Sequence, residues 1–99
     1  MLHSQAIDQY VRDYYAYEAN QRMIHVWRQY QITWIRWAEA RWINGRKRVG
    51  QEELYTIKQR IWTLSIEARA LKDALHHSEL ELKRLGLDIP SMPKRPYGD

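Results

Sequence analysis

The stretch that decides the fold is residues 54–85, LYTIKQRIWTLSIEARALKDALHHSELELKRL. Within it Leu54, Ile57, Ile61, Leu64, Ala68, Leu71, Leu75, Ser78, Leu82 and Leu85 recur at alternating spacings of three and four, and all but Ser78 are apolar. A row of that spacing lies along one side of an α-helix and is the pattern of a coiled-coil seam. The helix that carries it therefore packs lengthwise on another helix.

Its ends are readable too. Gly50 is a permissive cap, Glu52 and Glu53 suit the positive end of the helix dipole, and Lys83 and Arg84 suit the negative end. Gly86 fits the left-handed C′ position, which brings Leu87 against Leu82 in a Schellman ending. The helix is predicted over residues 51–85.

Upstream, nothing from Ser4 to Ile43 is Gly or Pro. Ser4 reads as an N-cap, Asp8 lies near the positive end of the dipole, and Asp8–Arg12 and Glu18–Arg22 are acid-before-base pairs four apart. One helix is predicted over residues 4–44, about 60 Å long. It is stopped by Asn44-Gly45 and followed by a connector at 45–50. Two long helices on a short connector lie antiparallel. The expected fold is all-α: an antiparallel two-helix hairpin over residues 1–86 with a coiled-coil-like seam.

Folding about residues 47 and 48 pairs positions whose numbers add to about 95. Trp34 then faces Ile61, Ile24 faces Leu71, Ala38 faces Ile57, Trp27 faces Ala68, and Tyr17 faces Ser78. An alternative breaks the first helix at Asn20-Gln21 and closes a monomeric three-helix bundle. Residues 87–99, LDIPSMPKRPYGD, differ in kind, because Pro90, Pro93 and Pro96 recur every third residue and forbid a helix. This is an extended arm, with Ile89, Met92 and Tyr97 as anchors along the bundle or a neighbouring subunit. Its Pro90-x-x-Pro93 spacing also matches short polyproline ligands of SH3-type domains.

Composition narrows the function classes. The 99 residues carry a net charge of +4, 44% hydrophobic and 28% charged residues, which describes one ordered domain. With no cysteine, disulfide scaffolds, thiolate zinc sites and cysteine nucleophiles are excluded. The first residues do not form a signal peptide, and no window long enough to span a bilayer is free of charge. The expectation is an intracellular protein, cytoplasmic or within a virion, and not secreted. Seven Tyr and five Trp against no Phe favour half-buried interfaces over a dry core.

Four of the five tryptophans fall in residues 22–48, RMIHVWRQYQITWIRWAEARWINGRKR, together with seven of the sixteen Lys and Arg and a single acid. On a helical wheel the apolar residues of this stretch cover about half the circumference, more than one partner helix can bury. The surplus implies a further protein partner, either a second copy closing a four-helix bundle or a larger complex. The candidate partner-binding residues are Met23, Val26, Trp27, Tyr30, Trp34, Trp37, Trp42 and Trp62. The expected function is a non-enzymatic assembly, adaptor or inhibitor subunit, of a kind that suits a small viral component. The alternative is a nucleic-acid-binding module in which Arg22, Arg28 and Arg36 form an outer stripe extended by Arg46, Lys47 and Arg48 at the hairpin tip.

Other chemistries carry less. Asp73, His77 and Glu81 share one helix face but supply too few ligands for a metal site, and a solvated charged face explains them. There is no phosphate loop and no nucleophile motif. No catalytic residue, cofactor or metal is assigned.

Overall fold

The computed structural model describes residues 2–43 and 51–92, apart from the side chains of residues 38, 40–43 and 51. Two helices, α1 (His3–Ile43) and α2 (Gln51–Arg84), pack against each other along their lengths, and no strand occurs among the described residues. The molecule is a rod of 64 × 21 × 14 Å. The all-α hairpin expected from the spacing of residues 54–85 is present.

The start of α1 corrects one expectation. Leu2, not Ser4, occupies the cap: its carbonyl accepts from Ala6 N–H at 3.0 Å, while its own N–H donates to Gln5 Oε1 at 3.3 Å. Gln5 thus makes the reaching-back half of a capping box, and Ser4 lies inside the first turn. The end of α2 follows the predicted Schellman geometry. Leu87 N–H donates to the Leu82 carbonyl at 2.9 Å and Gly86 N–H to the Lys83 carbonyl at 3.0 Å, with Gly86 at φ 74°. Leu85 is therefore the cap residue, and the regular helix ends at Arg84.

α2 buries the seam read from its sequence. Ile57, Leu64, Ser78 and Leu82 are buried, and Leu54, Ile61, Ala68, Leu71, Leu75 and Leu85 are half-buried. The matching seam of α1 comprises Ala6, Tyr10, Asp13, Tyr17, Asn20, Ile24, Trp27, Gln31 and Trp34, every one buried or half-buried. Its spacing is the same three-four alternation, but three of its members are polar.

Two of them, Asp13 and Asn20, bond across to α2. Asn20 is buried and donates from Nδ2 to the Leu64 carbonyl at 2.9 Å. Ser78, also buried, donates its hydroxyl to Asp13 Oδ2. These contacts place Asn20 in the middle of one continuous helix, so the three-helix alternative with a break at Asn20-Gln21 is excluded.

The register differs from the one expected. Ser78 meets Asp13 in place of Tyr17, and Asn20 reaches the Leu64 carbonyl where position 75 was expected. Near the open end, Tyr10 packs with Leu82. The numbers of these pairs add to 91, 84 and 92, all short of the expected figure. A slip of one heptad leaves every seam residue on the same face, so periodicity alone does not choose between such registers. The predicted Ala38–Ile57 pairing lies outside the described side chains.

One consequence is an overhang. Trp27 and Tyr30 of α1 share a cleft with Glu52, Glu53, Thr56 and Ile57 of α2. From Ile57 α2 extends back six residues to Gln51, whereas α1 continues thirteen residues from Tyr30 to Ile43, so α1 runs on by about 10 Å at 1.5 Å per residue. At the opposite end Ala6, Tyr10 and Leu82 form a buried cluster, and Ile7, Val11, Leu75, Leu85, Leu87 and Met92 pack on it. Met92 is thus an anchor of the extended arm, as expected, while Ile89 is exposed. Tyr97, Pro93 and Pro96 lie outside the described residues.

Candidate functional site

The C-terminal half of α1 carries a ladder of four aromatic rings. Trp27 meets Tyr30 edge to face at 5.8 Å between centroids, Tyr30 meets Trp34 at 6.3 Å, and Trp34 stacks on Trp37 at 4.8 Å with 28° between planes. Steps of three and four residues place successive rings above one another on a helix. Trp27 and Trp34 belong to the seam facing α2 and are half-buried. Tyr30 and Trp37 lie beside the seam, not in it, and are 48% and 38% exposed.

Tyr30 and Trp37 are themselves part of a longer row. Ala16, Ala19, Met23, Val26, Tyr30, Thr33 and Trp37 follow the three-four alternation over residues 16–37, all are exposed, and none is charged. At heptad spacing this outer row lies about 100° around the helix axis from the seam that meets α2. A helix with two seams at that angle resembles a corner helix of a bundle, which touches two neighbours. The ladder zigzags between the two seams and ties one to the other.

α2 has a weaker counterpart. Tyr55 and Trp62 are both 63% exposed, and Ile66 and Leu80 are exposed on the same side, but Arg69, Asp73 and His76 interrupt the row. Its position is about 150° from the α1-facing seam at heptad spacing, so the two outer rows do not adjoin.

The structure thus divides the residues singled out by sequence. Met23, Val26, Tyr30, Trp37 and Trp62 are exposed; Trp27 and Trp34 are shared with the intramolecular seam. Trp42 lies outside the described side chains. Ala16, Ala19 and Thr33 complete the outer row and were missed, because a search for large apolar residues passes over small and hydroxylic ones. Their signal was the heptad position together with the absence of charge.

One polar atom in the ladder is notable. Trp27 Nε1 is buried and has no hydrogen-bond partner among the described residues. Leaving such a donor unsatisfied costs about 1–3 kcal/mol. It borders the cleft of about 360 Å³ between Tyr30 and the start of α2, where Glu52, Glu53 and the Thr56 side chain stand at the rim. The Thr56 hydroxyl is already turned onto the Glu52 carbonyl at 3.0 Å.

The basic residues of the alternative reading are placed in part. Arg22, Arg28 and Arg36 are exposed, and Arg46, Lys47 and Arg48 lie outside the described residues. Glu81, one of the three acidic and imidazole groups spaced along α2, is held by Arg84 through bonds of 2.5 and 2.9 Å. That contact keeps its carboxyl below the usual carboxylate range. Among the described residues no group of three or more His, Asp or Glu is placed to hold a metal ion, and no helix is long and apolar enough to cross a membrane.

No known protein family, curated protein or solved structure matches the chain. The functional reading rests on its own surface.

Proposed function

We propose that this chain is a non-enzymatic assembly or adaptor subunit that works by protein–protein contact through the outer face of α1. The observation that carries the reading is the uncharged, exposed row from Ala16 to Trp37. Its large members, Met23, Val26, Tyr30 and Trp37, are each partly exposed and so forfeit a part of the roughly 1.5–3 kcal/mol that complete burial of such a side chain contributes. A helical surface of this kind is filled by another helix at three-four spacing. The reading predicts that Tyr30→Ala with Trp37→Ala weakens association while circular dichroism stays helical. Unchanged association of the double variant at every concentration would reject it.

A second reading is favoured by the exposed Arg22, Arg28 and Arg36 on the same helix. In it the chain binds the phosphate backbone of nucleic acid, with Arg46, Lys47 and Arg48 extending the stripe. Such binding weakens steeply with salt. Reversing the charge of Arg46, Lys47 and Arg48 then abolishes retention of DNA or RNA and leaves assembly intact. A wild-type chain that retains no nucleic acid even at low salt eliminates this reading.

A further inference from the structure

We propose that the occupant of the outer row is a second copy of this chain, packed antiparallel through α1 about a two-fold axis near Val26. The proposal rests on the protein-contact reading above and names its partner.

Size complementarity is the first support. The row is small at one end, with Ala16 and Ala19, and large at the other, with Tyr30 and Trp37. Antiparallel packing centred on Val26 sets Ala16 against the partner copy's large end and Met23 against Tyr30. A parallel pair would oppose Trp37 to itself and Ala16 to itself, which leaves a clash at one end and a void at the other.

Charge gives the second. The flank of the row on the side away from the α2-facing seam carries Tyr15, Arg22, Gln29 and Arg36 and no acid. Antiparallel packing sets Arg22 beside Gln29 and Arg36 beside Tyr15, so like charges do not meet along this flank.

Geometry is the third. Because the outer row and the α2-facing seam are about 100° apart, a two-fold axis across α1 places both copies of α2 on the same side of the α1 pair. The four helices then occupy the corners of a bundle. The isologous surface closes on itself and stops at two copies.

The absence of cysteine makes the test direct. Under the proposal Val26→Cys lies at the axis and oxidises to a covalent dimer. Ala16→Cys does not, because its two copies stand about 30 Å apart along the helices. Mixing Ala19→Cys with Thr33→Cys chains gives a mixed covalent dimer that neither forms alone. Near-complete crosslinking of Val26→Cys with less than a tenth as much for Ala16→Cys is the expected result. Efficient self-crosslinking of Ala16→Cys would overturn the antiparallel arrangement. A dimeric wild-type mass with no crosslinking at Val26→Cys would overturn this surface but leave protein contact standing, with the α2 row at Trp62 as the next surface. A wild-type monomer would overturn the second copy as partner, and salt-dependent retention of nucleic acid by that monomer would reject the protein-contact reading as well.

Discussion

Asn20 donates from Nδ2 to the carbonyl oxygen of Leu64 at 2.9 Å, joining α1 to α2 across 44 positions of sequence. A buried amide in an otherwise packed seam fixes register at some cost in stability. Asn20→Ala is expected to lower stability by about 1–2 kcal/mol, through the lost bond and lost packing. Asn20→Leu is expected to restore or raise stability but to release the register. A cysteine pair at positions 13 and 78 should close cleanly with Asn20 present. With Leu at position 20, a pair displaced by one heptad, at 13 and 71, should close as well. Exclusive closure of the 13–78 pair in both backgrounds would show that Asn20 does not set the register.

Leu82 is fully buried in the cluster with Ala6 and Tyr10 at the open end of the hairpin. Leu82→Ala removes its contacts and opens a cavity, with an expected loss of about 2–5 kcal/mol in chemical denaturation. Leu80→Ala, two residues away and exposed, should cost under about 1 kcal/mol if Leu80 lies outside any contact. Equal losses at both positions would contradict the assignment of the seam.

Gly86 takes φ 74°, and a Cβ added there would meet nothing within 4 Å. Gly86→Ala is therefore expected to cost about 1 kcal/mol by conformational strain alone. Faster hydrogen exchange at the Leu87 amide would report the loosened Schellman ending. A neutral substitution with unchanged protection would show that the left-handed turn is not required.

Tyr10 is buried beside Glu79 and Tyr14. Desolvation, then the carboxylate, then the second phenol raise its pKa above the ordinary value. The sign follows from the neutral phenol being favoured in the folded chain. Its contribution to stability is whole below the ordinary tyrosine value near 10 and is lost as pH rises through the higher folded-state value. Thermal stability should fall above about pH 10, and Tyr10→Phe should flatten that fall relative to wild type. An identical alkaline profile for the two proteins would remove Tyr10 as the cause.

Much of the fold was legible because α2 carries one strictly spaced apolar row from Leu54 to Leu85 and a Gly86-Leu87 ending whose hydrogen bonds are local. α1 was harder. Its inner seam includes Asp13, Asn20 and Gln31, polar residues that an apolar search assigns to solvent; Asp13 and Asn20 belong there because Ser78 and the Leu64 carbonyl of α2 bond to them. Axial register was not legible, since seams of period seven slide by a heptad without changing which residues are buried. The surface was half legible. Val26, Tyr30 and Trp37 were among the residues expected to meet a partner and are exposed, but Ala16, Ala19 and Thr33 reveal their place only when the row is followed at heptad spacing.

The central claim is that α1 has two helix-packing seams and that a second copy fills the outer one. Sedimentation equilibrium of the wild-type chain and of Val26→Glu over a wide concentration range tests it most directly. The account predicts twice the chain mass of 12.1 kDa for the wild type. It predicts a helical monomer for Val26→Glu, because a carboxylate at the two-fold axis would face its own copy. A wild-type monomer throughout, or a Val26→Glu protein as dimeric as the wild type, would contradict it.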